Sequence, residues 1–366
     1  MKLKRSSQMM KNKKYKTIDL FAGIGGIRLG FEQTNRIKNI FSAEIDKYAC
    51  ETYIKNFKEN PFCDITKISE NELTSFPNFD ILLAGFPCQA FSIAGRRGGF
   101  EDTRGTLFFD VARIIKAKQP KAFLLENVKG LTNHDGGRTF ETIINTLKND
   151  LGYSVHTQLL NAKDYGIPQK RERIYIVGFK NMKDKKEIDF KFPKPIKLKK
   201  RIKDIMEEEE VSSKYYLSDT YLNTLKKHKA RHKAKGNGFG YEVLKHTDIA
   251  NTIVVGGMGK ERNLLIDKRL TDFTPKTNIK GKINREYIRK MTPREWARLQ
   301  GFPDSFQIPV SDAQAYKQFG NSVSVPVINA IAKKIIEKLD ELYQKYDKND
   351  TSIIHSYEKL DMAQGF

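Results

Sequence analysis

Gly85-Phe86-Pro87-Cys88-Gln89 places a cysteine where thiol chemistry is possible. Residues 79–84, Phe-Asp-Ile-Leu-Leu-Ala, are short, apolar and β-prone, so they read as a buried strand. Gly85 and Pro87 break that strand and leave Cys88 on the loop at its end, where open α/β sheets bind ligands. A free thiol has a pKa of about 8.5 and needs help to become a thiolate at neutral pH. The loop alone leaves a small buried hydrophobe as an equal alternative. Two other clusters could supply the help. Residues 122–126 form an apolar strand that ends in Glu126-Asn127-Val128. A carboxyl at such an end is partly desolvated, which raises its pKa toward the range of proton donation, although an ion-paired strand end is the plainer reading. Gln169-Lys170-Arg171-Glu172-Arg173 precedes another strand and supplies guanidiniums, which favour a thiolate and can bind phosphate or a base carbonyl.

A second set of residues describes a nucleoside site. Asp19-Leu20-Phe21-Ala22-Gly23-Ile24-Gly25-Gly26 follows the first strand and opens a helix, and its glycines let the backbone approach a ligand. Alone, that turn serves a nicotinamide cofactor equally well. Glu44 ends the second strand, where a carboxylate can accept hydrogen bonds from ribose hydroxyls. Asp64 lies where a third strand could end.

The elements that must position these groups alternate between strand and helix. Residues 17–21, 40–44, 79–84, 122–126 and 173–179 are the clearest strands, and Phe140, Ile143, Ile144 and Leu147 mark an amphipathic helix. This pattern predicts an α/β class, with a mostly parallel sheet flanked by helices as in a Rossmann-like core. From residue 180 the composition turns lysine-rich and proline-punctuated, then acidic at 207–210. The expected organisation is a basic disordered tail (1–15), a catalytic and cofactor-binding domain (16–180), a smaller target-recognition domain (181–288), a segment completing the catalytic domain (289–345) and a polar tail (346–366). Val327, Ile328, Ile331, Ile335 and Leu339 form a helical stripe after Pro326.

The 366 residues carry 66 Lys+Arg against 44 Asp+Glu, a net charge of +22 that favours a polyanionic partner such as nucleic acid. Lysine enrichment from an AT-rich genome is the bland alternative. Basic glycine-rich stretches at 226–240 and 256–259 could lie against a phosphate backbone or be flexible surface loops. No stretch has membrane-spanning length, and the N-terminus lacks the apolar core of a secretory signal. Cys50, Cys63 and Cys88 make no disulfide framework and show no CxxC metal spacing, so no metal is expected and a reducing cytoplasm fits.

The ordered set 19–26, 85–89, 126–128, 169–173 and Gly320-Asn321-Ser322-Val323 resembles that of the DNA (cytosine-5) methyltransferases, from about residue 16 to 342. Gly236-Asn237-Gly238-Phe239-Gly240-Tyr241 with Val254-Val255-Gly256-Gly257-Met258-Gly259 is similar to the recognition region of members that modify the inner cytosine of CCGG. The resemblance implies S-adenosyl-L-methionine as cofactor and double-stranded DNA as partner. It implies a monomer serving a restriction-modification system, with any cognate restriction endonuclease acting separately. Cys88 would attack C6 of a flipped cytosine, Glu126 would hold and protonate N3, Arg173 would contact O2, and Arg171 would support the loop and phosphate. Phe21, Gly23, Gly25, Glu44, Asp64, Ile65, Pro87, Asn321 and Ser322 would surround the cofactor. Gln89, Ser92, Arg96, Arg97, Gly256 and Gly257 would face DNA, with the loop 92–106 closing over the base. Cys63 and Ile45 depart from the family pattern, which usually has glycine and an aromatic residue there. A nicotinamide-dependent oxidoreductase leaves Cys88 and Glu126 without roles. A silent DNA binder and an RNA cytosine methyltransferase remain as competitors. The Asp/Asn/Ser-Pro-Pro-aromatic tetrad that amino-methylating enzymes need is absent.

Overall fold

The computed structural model describes residues 13–87, 107–181, 186–276 and 281–347. Six strands form the main sheet: β1 (Tyr15–Leu20), β2 (Ile37–Ala43), β3 (Ile81–Ala84), β4 (Ala122–Val128), β5 (Tyr153–Asn161) and β7 (Glu172–Lys180), in the order β2-β1-β3-β4-β7-β5. The pairs β1–β2, β1–β3 and β3–β4 are parallel, whereas β7 runs antiparallel to both β4 and β5. The mostly parallel sheet expected from the alternation is present. Strand β5 was not anticipated: its middle is polar at His156, Thr157 and Gln158, the last two exposed, so it lacks the apolar run that marks its neighbours.

Alternate residues of the central strands feed two apolar layers, as a pleat of period two requires. Ile81 and Leu83 of β3, with Leu124 of β4, pack beneath α1 (Gly26–Glu32) and α9 (Val325–Asp347) through Ile27, Phe31, Ile328, Ile331 and Ile335. Leu82 and Ala84, with Phe123 and Leu125, face α4 (Leu107–Lys118) through Phe108, Val111 and Ile115. Burying a side chain of this size contributes about 1.5–3 kcal/mol. The other helices beside the sheet are α2 (Lys47–Phe57), α3 (Glu70–Ser75) and α5 (Arg138–Asn145), the last carrying Phe140, Ile143 and Ile144 of the expected stripe.

Beyond the sheet, β6 (Gln169–Lys170) pairs in parallel with β9 (Ala250–Asn251). A small second sheet holds β8 (Val243–Leu244), β10 (Leu264–Ile266) and β11 (Ile288–Arg289), packed under the long helix α6 (Asp219–Ala234). The chain then returns through α7 (Pro293–Gln300), α8 (Asp312–Asn321) and α9 to the main sheet. Thr292 opens α7 with a reciprocal cap to Glu295, and Pro293 occupies its first turn, where a missing N–H costs nothing. Among the described residues, no helix is long and apolar enough to cross a membrane.

Candidate active site

A cavity of about 580 Å³ opens at the C-terminal ends of β1, β2, β3 and β4. Open α/β sheets bind ligands at this end because helices and loops diverge there. One wall is the turn 21–26. Its backbone is left-handed at Phe21 (φ 55°), Gly23 (56°) and Gly25 (82°). A Cβ on Gly25 would stand 2.2 Å from the Phe57 ring, so only glycine fits. No atom lies within 4 Å of a Cβ placed on Gly23, which leaves that part of the turn open. Gly23 N donates to Glu44 Oε2 at 2.7 Å, while Ile45 N and Asp46 N donate to Oε1 at 2.8 and 2.7 Å. A carboxylate offers about four acceptor sites, so Glu44 keeps capacity for a ribose hydroxyl.

Asp64 is the N-cap of a short 3₁₀ turn, accepting from the Thr66 hydroxyl at 2.7 Å and the Thr66 amide at 3.1 Å. Those bonds hold its carboxyl below the usual range. It does not end a third strand, as anticipated. Only an isolated bridge between Glu44 and Phe62 precedes it, because Pro61 interrupts any ladder. Cys63 leaves the turn intact, its amide donating to Glu44 O at 3.0 Å. Ile45, Ile65 and Phe21 line the cavity as apolar faces, and Pro87, Asn321 and Ser322 complete it. Apolar faces, a backbone-held carboxylate and an open glycine turn fit a nucleoside-sized ligand.

The opposite end of the same cavity holds Glu126, Arg171 and Arg173. Glu126 is 8% exposed, and Arg173 Nε stands 3.3 Å from its Oε1. Burial pushes the Glu126 carboxyl up, against the pull of the Arg173 and Arg171 charges. Next to it, Asn127 Nδ2 donates to Phe86 O at 2.9 Å, tying the end of β4 to the loop that carries Pro87. Cys88, Gln89, Ser92, Arg96 and Arg97 lie outside the described residues, as does the whole of the loop 92–106 expected to close over the base.

Arg171, expected to support the loop and phosphate, lies at a joint between chain segments. Its guanidinium is buried, 2% exposed, and Nη1 donates to Ile253 O at 2.9 Å. Nη2 donates to Gly320 O at 3.0 Å and Ser322 O at 2.5 Å. The side chain thus braces two chain segments, at Ile253 and at 320–322, against the residue that precedes β7. Burial and the Arg173 charge press its pKa down to about 9, which still leaves it a cation at neutral pH. Gln169, to which the sequence assigned no role, grips the same joint. Its amide nitrogen donates to Leu299 O at 2.7 Å and its oxygen accepts Ile253 N at 3.0 Å. Gln300 carried no signal in the sequence and donates to Phe319 O at 2.7 Å. Lys317 was equally unmarked. Its ammonium lies 2.6 Å from Asp46, joining opposite walls of the cavity. Gly256 (φ 80°) and Gly257 (54°) sit exposed with open space around them, beyond Ile253.

Comparison with known proteins agrees with this geometry. The model of the family described as C-5 cytosine-specific DNA methylase matches residues 15–337. The type II methyltransferase M.HpaII of Haemophilus parainfluenzae is 63% identical over 331 residues, covering 90% of this chain and 91% of that protein. M.SsoII of Shigella sonnei is 52% identical over 330 residues, 90% of this chain and 82% of the relative. Among solved structures, the Entamoeba histolytica methyltransferase EhMeth aligns with a TM-score of 0.69 at 20% identity, over 89% of this chain and 99% of that one. The S. pombe Dnmt2 methyltransferase aligns with 0.66 at 21%, over 90% and 99%. At such identities the solved structures speak for the methyltransferase fold alone. The family match and the two close relatives go further: the chain belongs to the C-5 cytosine-specific DNA methylases and is a cytosine-5 DNA methyltransferase of the type II modification group.

Proposed function

We propose that the protein methylates C5 of the inner cytosine of CCGG in duplex DNA, through a covalent bond between Cys88 and C6 of the flipped base. The observation that carries this reading is the shared cavity. Glu126 with Arg173 occupies one end, and Glu44, Asp64 and the glycine turn occupy the other, so a base and a nucleoside cofactor would meet between them. S-adenosyl-L-methionine, when bound, supplies an activated methyl group and leaves as S-adenosylhomocysteine. Glu44 would hold its ribose, Asp64 and Ile65 its adenine edge, and Phe21, Gly23, Gly25, Pro87, Asn321 and Ser322 would enclose it.

The target cytosine must leave the stack, at a cost of a few kcal/mol (about 2–4) offset by contacts in the pocket. The Cys88 thiolate then forms a bond to C6, and the displaced electron pair moves toward C5 while Glu126 delivers a proton to N3. A buried carboxyl whose pKa is raised is suited to that delivery. Arg173, held 3.3 Å from Glu126, would take the base O2. Once C5 carries the methyl group, its proton is lost to a base, the C6–S bond breaks, and Cys88 leaves with the bonding pair. Gln89, Ser92, Arg96 and Arg97 are assigned to DNA, together with the exposed backbone at Gly256 and Gly257. Residues 16–180 with 289–345 form the catalytic domain in this reading and 181–288 the recognition domain, between the tails 1–15 and 346–366. The protein works as a monomer in the cytoplasm, and its cognate endonuclease is a separate chain.

Base-resolved mapping of 5-methylcytosine on an unmethylated plasmid, after incubation with protein and S-adenosylmethionine, tests the reading. Methylation of one cytosine in every CCGG is expected. Methylation at another motif would discard the target, and methylation of RNA alone would discard duplex DNA as substrate.

A further inference from the structure

Helix α6 carries more positive charge than its own stability requires. Its apolar face, Leu222 and Leu225, packs on Leu217, Leu264 and Ile288, with Tyr241, Val243 and Met258 at the edge. The other faces hold Lys226, Lys227, Lys229, Arg231 and Lys233, and Lys235 is the C-cap. Cations in a last helical turn offset the partial negative charge of the exposed carbonyls, which accounts for Arg231 and Lys233. Lys227 lies about two turns earlier, beyond the range of that effect. Two of the lysines have protein partners: Lys226 pairs with Glu286, and Lys229 donates to Tyr241 O at 2.9 Å. Among the described residues, Lys227, Arg231, Lys233 and Lys235 are exposed and form no ion pair.

The segment that follows is a fixed platform rather than a loose loop. His232 Nδ1 lies 2.7 Å from Asn237 Oδ1, and Asn237 N donates to His232 O at 3.1 Å. The rings of His228, His232 and Phe239 cluster, with centroids 4.5 Å apart for the two histidines and 5.3 Å for His232 and Phe239. A Cβ on Gly240 would stand 2.9 Å from the Lys229 side chain, so the chain passes close against the helix. On this platform Phe239 is 47% exposed, and Gly236 and Gly238 have no atom within 4 Å of a Cβ position. The surface thus joins unpaired cations, an exposed ring and backbone open to a ligand.

We propose that the exposed cation row of α6 and residues 235–239 grips the phosphate backbone of the duplex flanking the target. The inference rests on the reading of duplex DNA as substrate and adds to it a contact surface outside the catalytic cavity. Lys227, Arg231 and Lys235 recur every four residues, which sets them about 6 Å apart along one line of the helix. Each DNA strand presents a phosphate every 3.4 Å or so of axis, so such a row has close to the spacing of every second phosphate. The same domain carries Gly256 and Gly257, and Met258 beside them packs against the face that α6 buries. A duplex read by the glycine loop therefore has the cation row on the domain that reads it.

The test is the salt dependence of duplex binding by the full chain. Fluorescence anisotropy with a labelled CCGG duplex, in the presence of S-adenosylhomocysteine, gives the slope of log Kd against log salt. Each phosphate contact contributes about 0.9 to that slope. Replacing Lys227, Arg231, Lys233 and Lys235 together by glutamine should lower it by between about 1.8 for two contacts and 3.6 for four. Between 50 and 200 mM salt, the unaltered protein would then lose about 12-fold to 150-fold more affinity than the variant. A matched variant replaces Lys333, Lys334, Lys338 and Lys345 of α9 and should keep the original slope. A four-residue α6 variant within about 0.5 of the original slope overturns the proposal. So does an equal fall in the α9 variant, since net charge would then suffice. Failure of the unaltered chain to bind duplex at all would sink the functional reading and this proposal together. A steep original slope left unmoved sinks this proposal alone.

Discussion

Asp19 opens the glycine-turn motif, and only the Arg28 backbone amide and the Arg28 charge favour its ionised form. It is fully buried, and neither carboxylate oxygen has a hydrogen-bond partner among the described residues. Nearby Arg28 is committed elsewhere, to Glu32, Glu59 and the Tyr53 hydroxyl. Burial, with the negative charges of Glu44 and Glu32, lifts the Asp19 pKa to about 7 against the pull of Arg28. The unfolded chain returns it to 3.8. Between those values the folded state binds the extra proton, so this group's contribution to stability is full below pH 3.8 and is lost as pH rises through 7. A tenfold difference in proton affinity is worth about 1.4 kcal/mol, so the part of the loss that falls between pH 5 and 8 comes to about 2–3 kcal/mol. Asp19→Asn keeps the shape and removes the titration. Its amide also lacks a partner, which shifts stability by a constant amount, so the informative quantity is the pH slope. Urea unfolding from pH 5 to 8 should show the variant gaining about 2–3 kcal/mol on the original protein across the range. Parallel curves, within about 0.5 kcal/mol, would refute the argument that a lone buried carboxylate is being ionised.

Cys88→Ser should reduce methyl transfer to background while S-adenosylhomocysteine still binds, measured by single-turnover methylation and calorimetry; near-normal turnover would exclude the covalent route. Glu126→Gln keeps the volume of the side chain but cannot deliver a proton, so single-turnover rates should fall by about 10²-fold or more. Arg171→Met leaves the carbonyls of Ile253 and Gly320 without a donor and Ser322 O with Gln300 alone. Unsatisfied buried groups cost about 1–3 kcal/mol each and do not add fully, so a loss of about 3–5 kcal/mol is expected in urea unfolding. A loss below about 1 kcal/mol would mean that the joint re-forms without the guanidinium.

The central strands were legible because their burial on both faces forces unbroken apolar runs, as at residues 81–84 and 122–125. The same physics hid β5, which is an edge strand and tolerates His156, Thr157 and Gln158. Glu126, Arg173, Glu44 and the glycine turn were legible as residue types at strand ends, and the fold brings them to one cavity. The positioning amides were not. Asn127 meets Phe86 across 41 residues, and Gln169 meets Ile253 across 84 and Leu299 across 130. Composition marks such residues only as polar, and their worth lies in partners that no local pattern identifies. The bracing bonds of Arg171 were hidden for a related reason, since its acceptors lie 82 to 151 residues away in the chain.

That joint explains how the segment carrying β8 to β11 can be held firmly by little secondary structure. The pairing of β6 with β9 spans two residues, too short a ladder to resist rotation by itself. Side chains supply the remaining constraint, because Gln169 and Arg171 together hold both the amide and the carbonyl of Ile253. Arg171 then reaches the carbonyls of Gly320 and Ser322, and Gln300 adds a second donor to Ser322 O at 3.2 Å. A guanidinium suits this place where an ammonium would not, since its planar fork can address two chain segments in fixed directions at once. The exposed Gly256–Gly257 stretch starts three residues beyond that anchor and the Asn321–Ser322 wall of the cavity lies on its other side, so a shift at either one strains bonds shared with the other.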